Sequence, residues 1–328
     1  MERCYQRKLK LRLAVPLLLV SMGLPEANAQ KVYHIGALLA EEQFAPAVEG
    51  FKKKMAELGY VEGKNIEYRI YNAQLNREKL QQFARKLIQE KPDLIVTSST
   101  TATVPVAKLT KGTDLPVVFL SSGNPLELVK SYASSGNNLT GISSATLDLT
   151  AKRLELLKEL VPKVKRVVSL NNPKGANYRD YLSAVQEAAK KAGLTVREAN
   201  GANREELTNA LGSVTRKTAD AILLQPDVIM SGNIDIIVEH TTREKLPLIS
   251  PLIPHVRRGG LATYAPDYIG LGQQGAMLAH KIFRGARPSD LPIEQPSKLN
   301  LVINLKTAKA IGLKIPREIL LRADEVIE

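Results

Sequence analysis

The chain has 328 residues, 46 Lys+Arg against 33 Asp+Glu, and a single cysteine. A chain of this length buries a sizeable core without covalent staples, and one cysteine closes no internal disulfide, so a disulfide scaffold is excluded. The basic excess alone would admit a nucleic-acid partner, but the first residues point to export, which removes it.

Residues 1–12, MERCYQRKLKLR, form a basic n-region, and LAVPLLLVSMGL follows as an apolar stretch. Ala27-Asn28-Ala29 supplies a small-x-small cleavage site, so a signal peptide over 1–29 is expected, with Gln30 as the first mature residue. The apolar run is about a dozen residues, short of the ~20 that span a bilayer, and Pro16 interrupts it. Cys4 precedes the apolar run, so no lipid anchor is expected. Residues 30–328 keep 41 basic and 31 acidic side chains, a net charge of +10. Their basic clusters, Lys52-Lys53-Lys54, Lys190-Lys191 and Arg257-Arg258, read as solvated faces. The expected location is the periplasm.

Strands and helices then alternate. VYHIGALL reads as a strand, and FAPAVEGFKKKMAELG as a helix that Gly59 stops. NIEYRIY alternates as a strand, NREKLQQFARKLIQE has helical spacing, and DLIVTS and PVVFLS are short buried strands. The chain next repeats this order. NREKL at 76–80 returns as NREEL at 203–207, and Asp93 of DLIV lies the same 127 positions before Asp220 of DAILL. The fold class is therefore α/β, with two Rossmann-like lobes built on parallel sheets and joined by a hinge.

In open parallel sheets ligands sit at the carboxyl ends of the strands. Those ends are 39–44, 97–101 and 121–124 in the first half, and 171–177, 225–227 and 250–251 in the second. They are rich in Ser, Thr, Asn and Gln, which suits hydrogen-bonded recognition better than catalysis. Thr97 to Thr101 place five hydroxyls before a helical segment, where unsatisfied N–H groups and a partial positive charge favour an anion. One hydroxyl would suffice as a cap. The candidate anion cradle is Ser98, Ser99, Thr100 and Thr101, joined by Ser121, Ser122 and Asn124 of the next turn. Asn172, Asn177 and Gln225 are candidates from the second half. Asp227 and Asp267 are the carboxylates best placed for a ligand amine. Phe44, Tyr264 and Tyr178 are candidate stacking partners, and each also suits a rim or core position.

Enzymatic chemistry finds no support. There is no G-x-S-x-G elbow and no S-x-x-K, so no serine has a sequence-evident base. His34 falls in a strand, His240 and His280 in helices and His255 in an expected loop, without triad or metal spacing. No cofactor or metal is expected. GLGQQG at 270–275 matches G-x-G-x-x-G but lies late in the chain, away from a strand end, where glycines serve close packing instead.

The stretches ELGYVEGKNIEYR, KPDLIVTSSTTAT, LPVVFLSSGNPLE, NNLTGISS, GGLATYAPDY and the tail from FRGARPSDLP to the C-terminus carry a resemblance. The chain resembles the ABC transporter substrate-binding protein family whose members include tryptophan- and tyrosine-type binding proteins. The resemblance implies a type I periplasmic-binding fold with three crossings, closing on a ligand, and an inner-membrane ABC permease as partner. It implies carboxylate-binding helix starts at Ser98–Thr101 and Ser121–Asn124. The chain departs from the family's pattern in AEEQFAP, which lacks a His-Pro-Ala-Leu-type run, and in Gly123-Asn124-Pro125 where Gly-Asp-Pro is usual. The expected division is 1–29 signal peptide, 30–144 plus 264–296 lobe one, and 145–263 plus 297–328 lobe two. Hinges are expected at 142–147 and 264–267. The expected function is a periplasmic, monomeric binding protein of an ABC importer, with an amino acid or related carboxylate in the cleft. A periplasmic sensor on the same fold is the alternative.

Overall fold

The computed structural model describes residues 31–175 and 177–328; the expected signal peptide lies outside the described residues. In chain order the elements are β1 (Tyr33–Leu39), α1 (Ala45–Glu57), β2 (Ile66–Asn72), α2 (Arg77–Gln89), β3 (Leu94–Ser98), α3 (Thr100–Leu109), β4 (Val117–Ser122) and β5 (Leu139–Ser143). There follow α4 (Leu149–Leu160), β6 (Arg166–Asn171), α5 (Tyr178–Ala192), β7 (Thr195–Asn200), α6 (Arg204–Gly212) and β8 (Ala221–Leu224). The chain continues with α7 (Val228–Gly232), α8 (Ile234–Arg243), β9 (Leu248–Ile249), α9 (Ile253–Arg257), β10 (Ala262–Pro266) and α10 (Tyr268–Phe283). It ends with β11 (Leu299–Asn304), α11 (Leu305–Ile311), α12 (Arg317–Arg322) and β12 (Glu325–Ile327).

Two sheets result, ordered β2-β1-β3-β4-β5 and β12-β11-β10-β9-β8-β6-β7. Read from β7, the second sheet repeats the first strand for strand before β11 and β12 extend it. The sequence repeat has a structural cause. Asn76 caps α2 by accepting from Lys79 N, and Asn203 caps α6 by accepting from Glu206 N. Asp93 accepts from His34 N at 2.8 Å while its own N–H donates to His34 O. Asp220 does the same with Arg166. Each aspartate thus locks the third strand of its lobe onto the first, fixing register at the edge remote from the strand ends.

β5 leads from the first sheet into α4 of the second lobe through residues 144–148. β10 stays in the second sheet as far as Pro266, and α10, from Tyr268, contributes Leu271, Ala276 and Leu278 to the first core. The chain therefore passes between lobes around Asp267 and again between Glu294, whose N–H bonds Gly141 O beside β5, and β11. The glycines read as a decoy lie inside α10. A Cβ on Gly272 would overlap the Ala47 carbonyl, and one on Gly50 of α1 would overlap the Ile269 carbonyl. Glycine at both positions lets the two helices meet backbone to backbone. His255, expected in a loop, lies in the short helix α9, which Pro254 opens at its second position.

Candidate functional site

The strand ends of both sheets face one cleft. In the first lobe, the turn from β3 to α3 is woven to the turn after β4. Ser99 N donates to Ser121 Oγ at 3.1 Å, and Gly123 N donates to Thr100 Oγ1 at 2.9 Å. Thr100 Oγ1 and Ser122 Oγ share a bond of 3.2 Å. Ser98 is fully buried and donates to Phe44 O, whereas Thr101 is exposed in the first turn of α3. Ser99 caps α3 by accepting from Ala102 N and holds φ at +87°. That region costs a non-glycine residue about 1–3 kcal/mol. Ser99 joins β3 to α3, whose first N–H groups have no acceptor within the helix.

Phe44 is buried, with its ring 5.6 Å from that of Tyr268, so it belongs to the wall beneath the cleft. Glu41, two residues past the end of β1, lies within the strand-end stretch 39–44 but was not singled out there by sequence. Burial raises the Glu41 carboxyl to about 7; a bond from Gln43 and the charge of Arg258 oppose this, and Asp227 adds repulsion. Asp227 and Arg258 belong to the second lobe, so Glu41 looks across the cleft.

In the second lobe the amides serve one another. Asn172 N donates to Gln225 Oε1 at 2.6 Å, Gln225 Nε2 donates to Asn177 Oδ1 at 3.1 Å, and Asn177 Nδ2 donates to Pro226 O at 3.1 Å. Asn172 Nδ2 then donates to Asp227 Oδ1 at 3.1 Å, which also accepts from Ile229 N at 2.8 Å. The three residues thus form a frame for Asp227. Its pKa is raised, chiefly by burial and against these bonds. Tyr178, at the start of α5, donates to Glu198 at 2.6 Å. Tyr264 is half-buried in β10 with Lys152 Nζ 5.6 Å from its ring centre, and Asp267 caps α10 through Ile269 N.

Where the lobes join, Arg153 of α4 is 1% exposed. Its guanidinium donates to Thr146 O at 2.9 Å, Tyr264 O at 3.0 Å and Pro251 O at 3.5 Å. These carbonyls come from the first crossing, from β10 and from the turn after β9. Burial lowers the Arg153 pKa to about 10, opposed by the Tyr181 and Tyr268 hydroxyls. Arg153 falls in step with Leu149, Leu156, Leu157 and Leu160, on the buried face of α4. An arginine on an apolar stripe was the available signal. Among the described residues no group of three His, Asp or Glu side chains is placed to hold a metal ion.

The model of the ABC transporter substrate binding protein family matches residues 34–327. The chain belongs to the ABC transporter substrate-binding protein family. Its two-lobed architecture is the type I periplasmic-binding fold, and its relatives are substrate-binding proteins rather than enzymes. A tyrosine-binding protein of Clostridioides difficile (strain R20291) is 29% identical over 292 residues, covering 88% of this chain and 83% of that one. A domain solved in complex with L-Trp from Streptococcus pneumonia is 27% identical, covers 90% and 100% of the two chains, and superposes with a TM-score of 0.83. The ligand-free, open structure of a substrate-binding protein with adhesive properties from Clostridium difficile is also 27% identical. It covers 90% and 99% of the two chains, with a TM-score of 0.72. The candidate site of this substrate-binding protein lies where the donor-rich turns of the first lobe stand opposite the amide-framed Asp227 of the second.

Proposed function

We propose that this protein binds a free amino acid in the interlobe cleft and delivers it, as a monomer in the periplasm, to the permease of an ABC importer. One observation carries the amino-acid reading: the two sides of the cleft are complementary to a zwitterion. The start of α3 and the turn at Ser122–Asn124 offer N–H and hydroxyl donors to a carboxylate. Glu41 and Asp227, one from each lobe, offer desolvated carboxylates to an ammonium. Without a cation between them the two acids repel, so a bound ammonium favours closure. In this reading Phe44 supports the loop that carries Glu41, while Asn172, Asn177 and Gln225 position Asp227.

The relatives agree with this class, since one is a tyrosine-binding protein and another was solved with L-Trp. At equal identity and coverage, the chain superposes better on the L-Trp complex than on the open protein, 0.83 against 0.72. That difference supports lobes standing in the arrangement of the complex.

A thermal-shift screen of residues 30–328 against amino acids, organic acids, sugars and nucleosides tests the proposal. A ligand that binds only the folded state raises the melting temperature by mass action. The expected result is a rise with one or a few amino acids. A rise confined to sugars or nucleosides would contradict it.

A further inference from the structure

The cleft rim carries two contacts that neither lobe needs for its own fold. Leu75, in the loop after β2 and anchored by its N–H to Ala40 O, reaches across to α7. A Cβ on Gly232 would stand 3.1 Å from its Cδ1. The other contact is polar. Asn124, in the turn after β4, donates from Nδ2 to Asp180 Oδ2 at 2.9 Å and to Glu127 Oε1 at 3.2 Å. Asp180 belongs to the first turn of α5, in the second lobe. Glu127 belongs to the short 3-10 turn at Pro125–Glu127, in the first lobe.

We infer that Asn124 is a closure clasp, a neutral amide that fastens the cleft rim by bridging Glu127 of one lobe to Asp180 of the other. The inference rests on the two-lobed closure of the proposed function and is independent of which ligand binds. A primary amide has two N–H groups and no charge, so it satisfies one carboxylate on each side. Without it, two acids from opposite lobes would face each other across the rim. The Glu127 carboxyl registers this setting: burial raises its pKa, the Asn124 amide opposes the rise, and the Asp180 charge adds to it. Aspartate at 124 would nearly match the shape of asparagine but replace the donor with a third negative charge. The rim would then repel itself when the lobes meet. The Asn124 side chain therefore serves closure and leaves the carboxylate cradle to α3, Ser122 and the backbone of that turn.

The chain from residue 30 onward contains no cysteine, so Glu78→Cys with Glu205→Cys places one spin label at the exposed start of α2 and one at that of α6. Pulsed dipolar spectroscopy without added ligand reads the distance between the lobes. Asn124→Asp is expected to move at least half of the short-distance population to longer distances. Asn124→Ala, which removes the bridge without adding charge, is expected to move less. The exchange Asn124→Asp with Asp180→Asn reverses donor and acceptor and is expected to restore the parent distribution. An unchanged distribution in Asn124→Asp and Asn124→Ala, or no restoration in the exchange, overturns the clasp. Because no ligand enters the readout, a failure of amino acids to bind would strike the proposed function and leave this test standing.

Discussion

In the proposed binding mode, Glu41 is the residue whose chemistry most directly links the fold to the ligand. Its carboxyl sits at about 7 rather than 4.5, because burial strips its water and Asp227 repels it, despite Gln43 and Arg258. Between those two values the folded protein holds a proton that the unfolded chain has released. The contribution of this group to stability is therefore lost as pH rises through that window. Glu41→Gln is expected to melt above the parent at pH 8 and level with it near pH 4.5, read by differential scanning calorimetry. Ligand binding runs the other way, since an ammonium pairs with the ionised carboxylate. The affinity of the parent for its amino acid is expected to rise about tenfold from pH 5.5 to 8, and Glu41→Gln should flatten that rise. A parent profile equally flat would separate Glu41 from the ligand.

Among elements, α4 decides how the lobes are joined. Two opposing effects meet at Arg153. Replacing a buried charge with an apolar side chain relieves desolvation and is often neutral. Here, however, three carbonyls of two crossing segments and a strand-end turn would lose their donor, each such charge-assisted bond being worth about 1.5–3 kcal/mol. The bonds outweigh the relief, so Arg153→Met is expected to cost about 2–4 kcal/mol in urea unfolding. A neutral or stabilising result would mean that the hinge holds without it. Backbone strain marks the same regions. Gln74 and Leu75 at the rim, Ser99 at the cradle and Ala145 at the first crossing all adopt positive φ. Sequence showed the elements well where a local cause was sufficient. Asn76 and Asn203 announced helix starts, and Asp93 and Asp220 announced the strands they lock. It showed neither the roles of Glu41, Asp180 and Arg153 nor the self-pairing of Asn172, Asn177 and Gln225, because those arise only when turns far apart in the chain meet. The helical α9 was also hidden, since Pro254 next to a strand end reads locally as loop.

At the scale of the molecule, two repeats of one strand order set their strand ends face to face, and the proposed binding mode divides the ligand chemistry between them. That division was partly legible: donor-rich turns were evident in 97–101 and 121–124 and Asp227 was a candidate for a ligand amine, while Glu41 became evident only when β1 and β8 were placed. The family pattern also reads differently in space. Asn124, which the sequence placed in the candidate anion cradle at a position where Asp is usual, lies on the rim with its amide between Glu127 and Asp180. The central claim is that one lobe's donors take a carboxylate while acids of both lobes take an ammonium. Calorimetric titration of residues 30–328 with L-tyrosine, with tyramine and with 3-(4-hydroxyphenyl)propionate tests it most directly, because each analogue removes one charge and keeps the ring. The account predicts binding of the amino acid and at least a tenfold loss for each analogue. Binding of either analogue as tightly as L-tyrosine would contradict it.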